Sequence, residues 1–190
     1  MELGAGDGLN LTNTLYFEKY RNWRGILVDP VLTNVLSCLE NRKRSKTFLA
    51  ACVSNQFKDR YVDLIYAGYM TSTLGVKSDI TNIKEHILGA LPYLPTRTVG
   101  LKFPAYARTL QSILLEASAP KIIDLLSLDT EGSEIEVLEG LDFEKYKFKF
   151  ILIESRSPNE AQEFLLRKGY KYIEKLASED YLFRLDPPSI

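Results

Sequence analysis

The stretch Glu2-Leu3-Gly4-Ala5-Gly6-Asp7-Gly8 (ELGAGDG) places glycine at three alternate positions. Glycine lacks a Cβ and tolerates positive φ, so such a turn after a strand lets backbone N–H groups come close to a ligand. The spacing is GxGxG, whereas dinucleotide-binding turns carry GxGxxG, and Asp7 places a carboxylate where a pyrophosphate would pass. The stretch therefore predicts a strand and a turn that binds a cofactor without phosphate; a purely structural turn is the alternative.

An acidic residue follows at the distance expected of a ribose contact. Asp29 comes about 20 residues after the last glycine and directly after the predicted strand at residues 25–28. A carboxylate at the end of the second strand accepts hydrogen bonds from the vicinal hydroxyls of a ribose. The turn and the acid together predict a nucleoside ligand.

Short apolar runs alternate with helical patterns along most of the chain. Right-handed crossovers between such strands place helices on both faces of a sheet. The pattern predicts an α/β fold, doubly wound, with a mostly parallel sheet and a C-terminal antiparallel hairpin at residues 170–175 and 181–185. The other predicted strands are residues 47–53, 122–128 and 148–153, and capping boxes at Ser133 and Ser157 predict two helix starts.

Length and composition favour one globular domain over residues 1–190. Hydrophobic residues make up 45% of the chain and the formal net charge is -1, which gives no electrostatic reason to expect nucleic acid as a partner. No apolar run reaches the ~20 residues of a membrane span, and the N-terminus lacks signal-peptide features. Cys38 and Cys52 are predicted to be buried thiols, so we expect a soluble, cytoplasmic protein.

Two segments depart from the regular alternation. Residues 67–97 are rich in glycine and proline and predict an inserted excursion, with a short helix at residues 79–88 and paired flanking strands at residues 61–66 and 98–103. The insertion is predicted to be a substrate lid or a structural loop. At the other end, fewer residues precede Gly4 than the about five of an average strand. The first strand is therefore expected to be truncated, and Met1 is expected not to be a natural start.

A second signature follows the strand predicted at residues 122–128. The run at residues 125–140 (LLSLDTEGSEIEVLEG) sets Asp129 and Glu131 at the carboxyl end of that strand, ahead of a capped helix. Together with ELGAGDG and residues 13–18 (NTLYFE), 23–25 (WRG) and 151–154 (ILIE), this run resembles the FkbM family of S-adenosylmethionine-dependent methyltransferases. The resemblance implies a class I, Rossmann-like fold over nearly the whole chain, and residues 68–97 match it poorly.

The resemblance implies S-adenosylmethionine as the cofactor. On it, the loop after Cys52 and Val53 borders the adenine, whereas Asn13 and Thr14 approach the methionine end. An acid at Glu2 can orient the turn or attract an ammonium group. The predicted cofactor-binding residues are Glu2, Gly4, Ala5, Gly6, Gly8, Asn13, Thr14, Asp29, Pro30, Cys52, Val53 and Asp129.

The family resemblance also implies O-methylation of a hydroxyl on a sugar, glycan or small natural product. Asp129, Glu131 and Glu154 are the predicted catalytic acids, because carboxylates at neighbouring strand ends converge on one cleft. One of them could be a general base, or Asp129 and Glu154 could hold a divalent cation that acidifies the acceptor. A third interpretation is that Asp129 and Glu131 only orient the cofactor or cap the next helix. His86, the only histidine, is a weaker catalytic candidate.

A basic run and two tyrosines each allow a structural interpretation as well as a functional one. The basic run at residues 41–46 (NRKRSK) lies at a predicted helix end and is interpreted as a solvated terminus. Tyr69 and Tyr93 are packing residues by default but could stack on a sugar ring. The alternatives to an enzyme are a non-catalytic nucleoside-binding or structural domain and, more weakly, a nicotinamide-dependent oxidoreductase. The oligomeric state stays open.

Overall fold

The computed structural model describes residues 1–94 and 98–186. The strands are β1 (Glu2–Leu3), β2 (Ile26–Asp29), β3 (Lys46–Leu49), β4 (Ala51–Cys52), β5 (Tyr61–Ile65), β6 (Ser72–Thr73), β7 (Lys102–Arg108), β8 (Ile122–Leu128), β9 (Lys147–Glu154), β10 (Tyr170–Lys175) and β11 (Asp180–Leu185). The α-helices are α1 (Leu15–Arg21), α2 (Leu32–Asn41), α3 (Ile83–Gly89), α4 (Leu110–Glu116), α5 (Glu134–Leu138) and α6 (Pro158–Arg167). Within these described ranges, no helix is both long enough and apolar enough to cross a membrane.

The main sheet has seven strands in the order β10-β11-β9-β8-β1-β2-β3. β11 runs antiparallel to β9 and β10, and the pairs from β9 through β3 are parallel. Helices pack on both faces: Val28 belongs to a large core that includes α4, α5 and α6, whereas its neighbour Leu27 packs with Cys38 of α2. The predicted α/β fold and its terminal hairpin are confirmed.

The chain leaves the main sheet at Ala50, inside the run that was predicted to be one strand at residues 47–53. β3 pairs with β2, whereas β4 pairs with β7 in a small four-stranded sheet of order β4-β7-β5-β6. Ala50 is buried and its N–H donates to the carbonyl of Asp29 at 3.2 Å. Because the apolar pattern runs through the crossing without a break, the sequence carries no sign of it.

Strands of the small sheet flank the predicted insertion, and β6 lies within it. β5 and β7 pair antiparallel, but β7 begins at Lys102 and extends to Arg108, so the second flank lies later in the chain than residues 98–103. The helix is also shorter than predicted, because residues 79–82 come before α3 and Asn82 caps it by accepting from the N–H of Glu85. The last predicted insertion residues, 95–97, lie outside the described part of the chain.

The two predicted helix starts are confirmed, but the predicted capping hydrogen bonds are not formed. α5 begins after Ser133 and α6 after Ser157, but neither serine side chain caps its helix. The Ser133 hydroxyl instead donates to the carbonyl of Thr130 at 3.2 Å. The segment between β8 and α5 is therefore closed by its own contacts, and these shape the site described next.

Candidate active site

β1 lies between β2 and β8, and this brings two strand-end acids to one edge of the main sheet. Leu3 pairs with Val28 on one side and with Leu128 on the other. Asp29 and Asp129 are the next residues on those neighbouring strands. Since parallel strands end at the same edge, both acids and the turn after β1 face one crevice.

The glycine loop, residues 4–8, is held tightly on two sides. Gly4 adopts φ +72°, and a Cβ there would collide with the backbone carbonyl of Asp129. Gly6 adopts φ +53°, and a Cβ there would lie 3.2 Å from the ring of Tyr69. The first glycine is thus required by the contact with β8, and the second keeps space between the loop and the insertion.

Asp29 ties the glycine loop to the end of β2. Its carboxylate accepts from the N–H of Gly6 at 2.9 Å, from the N–H of Val31 at 2.9 Å and from the side-chain amide of Asn34 at 3.1 Å. The residue is buried, and burial raises the pKa of the carboxyl to about 6 despite these bonds. A carboxylate has about four lone-pair sites, so capacity remains for a ligand hydroxyl.

Glu2 organises the chain between the loop and α1. It is buried and accepts from the N–H of Asn13 at 2.8 Å and from the hydroxyls of Thr12 and Thr14 at 2.8 and 2.6 Å. The side chain of Asn13 in turn donates to the Ser127 hydroxyl on β8 at 3.0 Å. Of the two interpretations of Glu2, these contacts support orientation of the turn.

Arg42 is the partner of Glu2, and its position contradicts the interpretation of residues 41–46 as a solvated helix end. Only 1% of its side chain is exposed. Its guanidinium donates to Glu18 at 2.9 Å and to the Thr14 hydroxyl at 2.9 Å, and it lies 3.5 Å from Glu2. The neighbours Lys43 and Arg44 are exposed as expected. One cation of the basic run therefore fixes the underside of the glycine loop.

Asp129, Glu131 and Glu154 form a carboxylate cluster. One oxygen from each lies within 4.8 Å of the others. Burial is the main cause that raises the pKa of Asp129 to about 6, of Glu131 to about 7 and of Glu154 to about 8. Asp129 and Glu154 are hydrogen-bonded to each other, and no other donor among the described residues reaches Asp129 Oδ1 or Glu154 Oε2. These acids are predicted to share one cleft, and the structure brings them together.

The loop that carries Glu131 is closed by an acid that the sequence analysis did not single out. Glu134 is buried and accepts from the N–H of Thr130 at 2.8 Å and from that of Gly132 at 3.1 Å. Glu131 adopts φ +53°, which is rare for a residue with a side chain. Arg156 donates to its carboxylate at 2.7 Å. Glu134, rather than Asp129 or Glu131, therefore accepts the hydrogen bonds of the backbone N–H groups just before this helix.

His86 lies behind the cluster, on α3. Its Nε2 is 2.9 Å from both the Ser72 hydroxyl and the Met70 carbonyl, and 3.7 Å from a carboxylate oxygen of Glu131. Burial is the first cause that lowers its pKa. The imidazole is not among the residues that line the cavity described next, so it approaches Glu131 from outside that cavity.

A cavity of about 520 Å³ joins the glycine loop to the carboxylate cluster. Tyr69 and Tyr93 of the insertion also line it, and both are well exposed. The predicted site residues on its wall are Gly4, Gly6, Asp29, Pro30, Cys52, Asp129, Glu131 and Glu154. The predicted cofactor residues outside the lining are Glu2, Ala5, Gly8, Asn13, Thr14 and Val53. Both cysteines are free and buried, as expected.

The sheet order and the strand-end site define a methyltransferase-like α/β protein. A family model described as "Methyltransferase FkbM domain" matches residues 2–184, and the chain belongs to this family of methyltransferases. No curated protein and no solved structure matches the chain. The resemblance drawn from the two motifs is thereby confirmed.

Replacing Arg42 with methionine should strongly destabilise the fold. The change leaves Glu2 and Glu18 buried without their cation, and breaking a buried ion pair costs about 3–5 kcal/mol. Urea unfolding measures the loss. Lys43→Met is the matched control. Because Lys43 is exposed, its replacement should change the free energy of unfolding by less than about 0.5 kcal/mol. If the two substitutions lowered the free energy of unfolding equally, the buried ion pairs of Arg42 would not be the cause.

The carboxylate cluster should make the protein less stable as pH rises from about 4.5 to 8. The folded state holds protons on Glu154 and its neighbours that the unfolded chain has already released, so the free energy of unfolding falls across this window. Glu154→Gln should match the wild type at pH 4.5 and exceed it at pH 8.5 by roughly 1–2 kcal/mol, a figure discounted for partial exposure. Glu174→Gln on the exposed edge strand is the control. If the free energy of unfolding of Glu154→Gln differed from that of the wild type by the same amount at both pH values, the prediction would be wrong.

Proposed function

We propose that this methyltransferase takes its methyl group from S-adenosylmethionine and transfers it to a hydroxyl of a sugar, glycan or small natural product. The observation that carries the proposal is the continuous cavity between Asp29 and the carboxylate cluster. Asp29 and Asp129 are separated by one intervening strand, or about 10 Å at normal strand spacing. A nucleoside held at one end therefore has its 5′ substituent within reach of acids at the other.

The chain's own groups account for cofactor binding. Asp29 accepts hydrogen bonds from the ribose hydroxyls, and the backbone at Gly4 and Gly6 allows close approach. Pro30 and Cys52 border the base; burial raises the pKa of the Cys52 thiol to about 12, so it stays uncharged. Glu2 and Arg42 act from beneath the loop by holding its shape. S-adenosylmethionine, when bound, supplies a methyl group already activated on a sulfonium.

Glu154 is the best-placed general base. A hydroxyl becomes a better nucleophile as its proton leaves, and a base works best with a pKa near the working pH. Burial, followed by a hydrogen bond shared with Asp129, raises the pKa of Glu154 to about 8. An oxygen of Asp129 lies within 4.8 Å of an oxygen of Glu154. Glu154 therefore takes the acceptor proton while Asp129 and Glu131 position the hydroxyl.

The same cluster also fits a divalent cation. Oxygens within 4.8 Å of one another span the distance between ligands of a single ion, and carboxylate oxygens are ligands that hard divalent cations prefer. Asp129, Glu131 and Glu154 would hold such an ion, which would lower the pKa of the acceptor hydroxyl. This chemistry and the general base are alternative ways to remove the same proton.

The proposal is tested by calorimetric titration of the full chain with S-adenosylmethionine and S-adenosylhomocysteine, followed by transfer of a labelled methyl group to a set of glycosides and polyols. Binding followed by labelling of a hydroxyl supports it. A folded protein that binds neither nucleoside would overturn it. Binding without transfer to any acceptor in the set would favour the non-catalytic alternative.

Asp29→Asn should weaken nucleoside binding. The amide loses charge-assisted hydrogen bonds to the ribose, about 1.5–3 kcal/mol, or roughly 10- to 150-fold in Kd. Titration with S-adenosylhomocysteine gives the constant. Asp124→Asn, at an exposed position of β8, is the control and should leave it unchanged. Unchanged affinity in Asp29→Asn would remove this residue from the site.

Turnover should survive EDTA and should fall about 10²- to 10⁴-fold in Glu154→Gln, the range attributed to a positioned base. Initial rates of labelled methyl transfer, before and after EDTA and gel filtration, provide the measurement. The exposed variant Glu174→Gln should keep the wild-type rate. Loss of activity in EDTA, restored by a divalent cation, would reject the general base in favour of the metal.

A further inference from the structure

Three large apolar side chains line the cavity and yet stay exposed. They are Leu11, which is 82% exposed, Tyr69, which is 48% exposed, and Tyr93, which is 77% exposed. Leu11 follows the glycine loop, whereas Tyr69 and Tyr93 belong to the insertion, so two separate segments contribute them. We call these three residues the apolar rim. Exposed apolar side chains that border a cavity are typical of ligand-binding clefts, because a ligand that covers them removes their surface from water.

The backbone at Leu11 is strained, and burial of its side chain does not explain the strain. Leu11 adopts φ +56°, a left-handed conformation that is costly for a residue with a Cβ. The turn before it is built by Asp7, whose carboxylate accepts from the N–H groups of Leu9 and Asn10 at 2.8 Å each. Backbone strain of this kind clusters at functional sites, and here it places an apolar side chain at the mouth of the cavity.

The insertion has a fixed position relative to the carboxylate cluster. The Thr73 hydroxyl lies 3.1 Å from the Ser133 hydroxyl, and the N–H of Asp79 donates to the carbonyl of Gly132 at 2.9 Å. The carboxylate of Asp79 accepts from the N–H of Arg156 at 2.9 Å. These contacts join the insertion to the loops after β8 and β9, the strands at whose ends the cluster lies. The two tyrosines of the apolar rim therefore belong to a segment that is anchored beside the cluster.

We propose that the apolar rim binds the part of the acceptor that does not react, so that the site prefers a hydroxyl compound with an apolar or aromatic group over one that is polar throughout. The inference rests on the proposed function and narrows its acceptor class. The rim and the carboxylate cluster line one cavity, so an acceptor can place its hydroxyl at the cluster while its apolar group contacts the rim. The rings of Tyr69 and Tyr93 suit stacking against a planar group, and Leu11 adds aliphatic surface.

The test compares two compounds that share every sugar hydroxyl, phenyl β-D-glucopyranoside and methyl β-D-glucopyranoside. Each is titrated calorimetrically into the full chain saturated with S-adenosylhomocysteine, so the result does not depend on which hydroxyl reacts. The phenyl glycoside should bind at least about tenfold more tightly, because contact with the rim removes its ring from water. Equal binding, tighter binding of the methyl glycoside, or binding of neither would overturn the inference and leave the proposed function standing. A folded chain that does not bind S-adenosylhomocysteine would overturn both.

Variants assign the preference to the apolar rim. Tyr93→Ala removes one ring, and Leu11→Asn introduces a residue that tolerates the left-handed conformation, so its melting temperature should not fall. Each variant should reduce the ratio of the two affinities by about threefold or more, while S-adenosylhomocysteine still binds. Tyr20→Ala is the control and should keep the wild-type ratio, because Tyr20 is exposed on α1 and lies outside the cavity lining. An unchanged ratio in both rim variants would overturn the inference.

Discussion

The site depends on one close approach between two backbones. β1 contributes only Glu2 and Leu3 to the main sheet, yet it pairs with a strand on each side. Directly after it, Gly4 turns against the backbone carbonyl of Asp129, in the space that a side chain would occupy. This contact sets the distance between the glycine loop and the carboxylate cluster. Because Asp29 is bonded to the same loop, all the parts of the site are fixed relative to one edge of the sheet.

A buried ionic network supports that edge from below. Arg42 brings Glu2 and Glu18 together, and the threonine hydroxyls beside them provide further hydrogen bonds. Burying these charges costs free energy of desolvation, which the bonds must offset, so the network is weak evidence for net stability. Its clearer effect is geometric, since Arg42 joins the end of α2 to the segment before α1. The glycine loop above it is held at Gly8, whose carbonyl accepts from Arg42 at 3.4 Å.

Much of this arrangement was predictable because its signals are local. Asp29 follows from its spacing after the glycines, and the acids at the carboxyl ends of β8 and β9 follow from the rule that strand ends meet at one edge. Arg42 was missed because a basic run at a helix end has the same appearance whether its side chains turn outward or inward. The departure of the chain at Ala50 was missed because both sheets need the same apolar pattern. In each case a contact distant in sequence decides the structure.

Backbone N–H donors distinguish most of the buried acids of this protein from the pair formed by Asp129 and Glu154. Glu2 and Glu134 are almost fully buried, and each has backbone N–H donors that justify the cost of burial. Asp129 and Glu154 are less deeply buried, and they are hydrogen-bonded to each other, whereas no other donor among the described residues reaches Asp129 Oδ1 or Glu154 Oε2. A chain optimised only for stability would fill that space with apolar groups or supply donors. Acids that lie close together at the wall of a cavity, with pKa values raised by burial, are typical of sites that handle a proton or a cation.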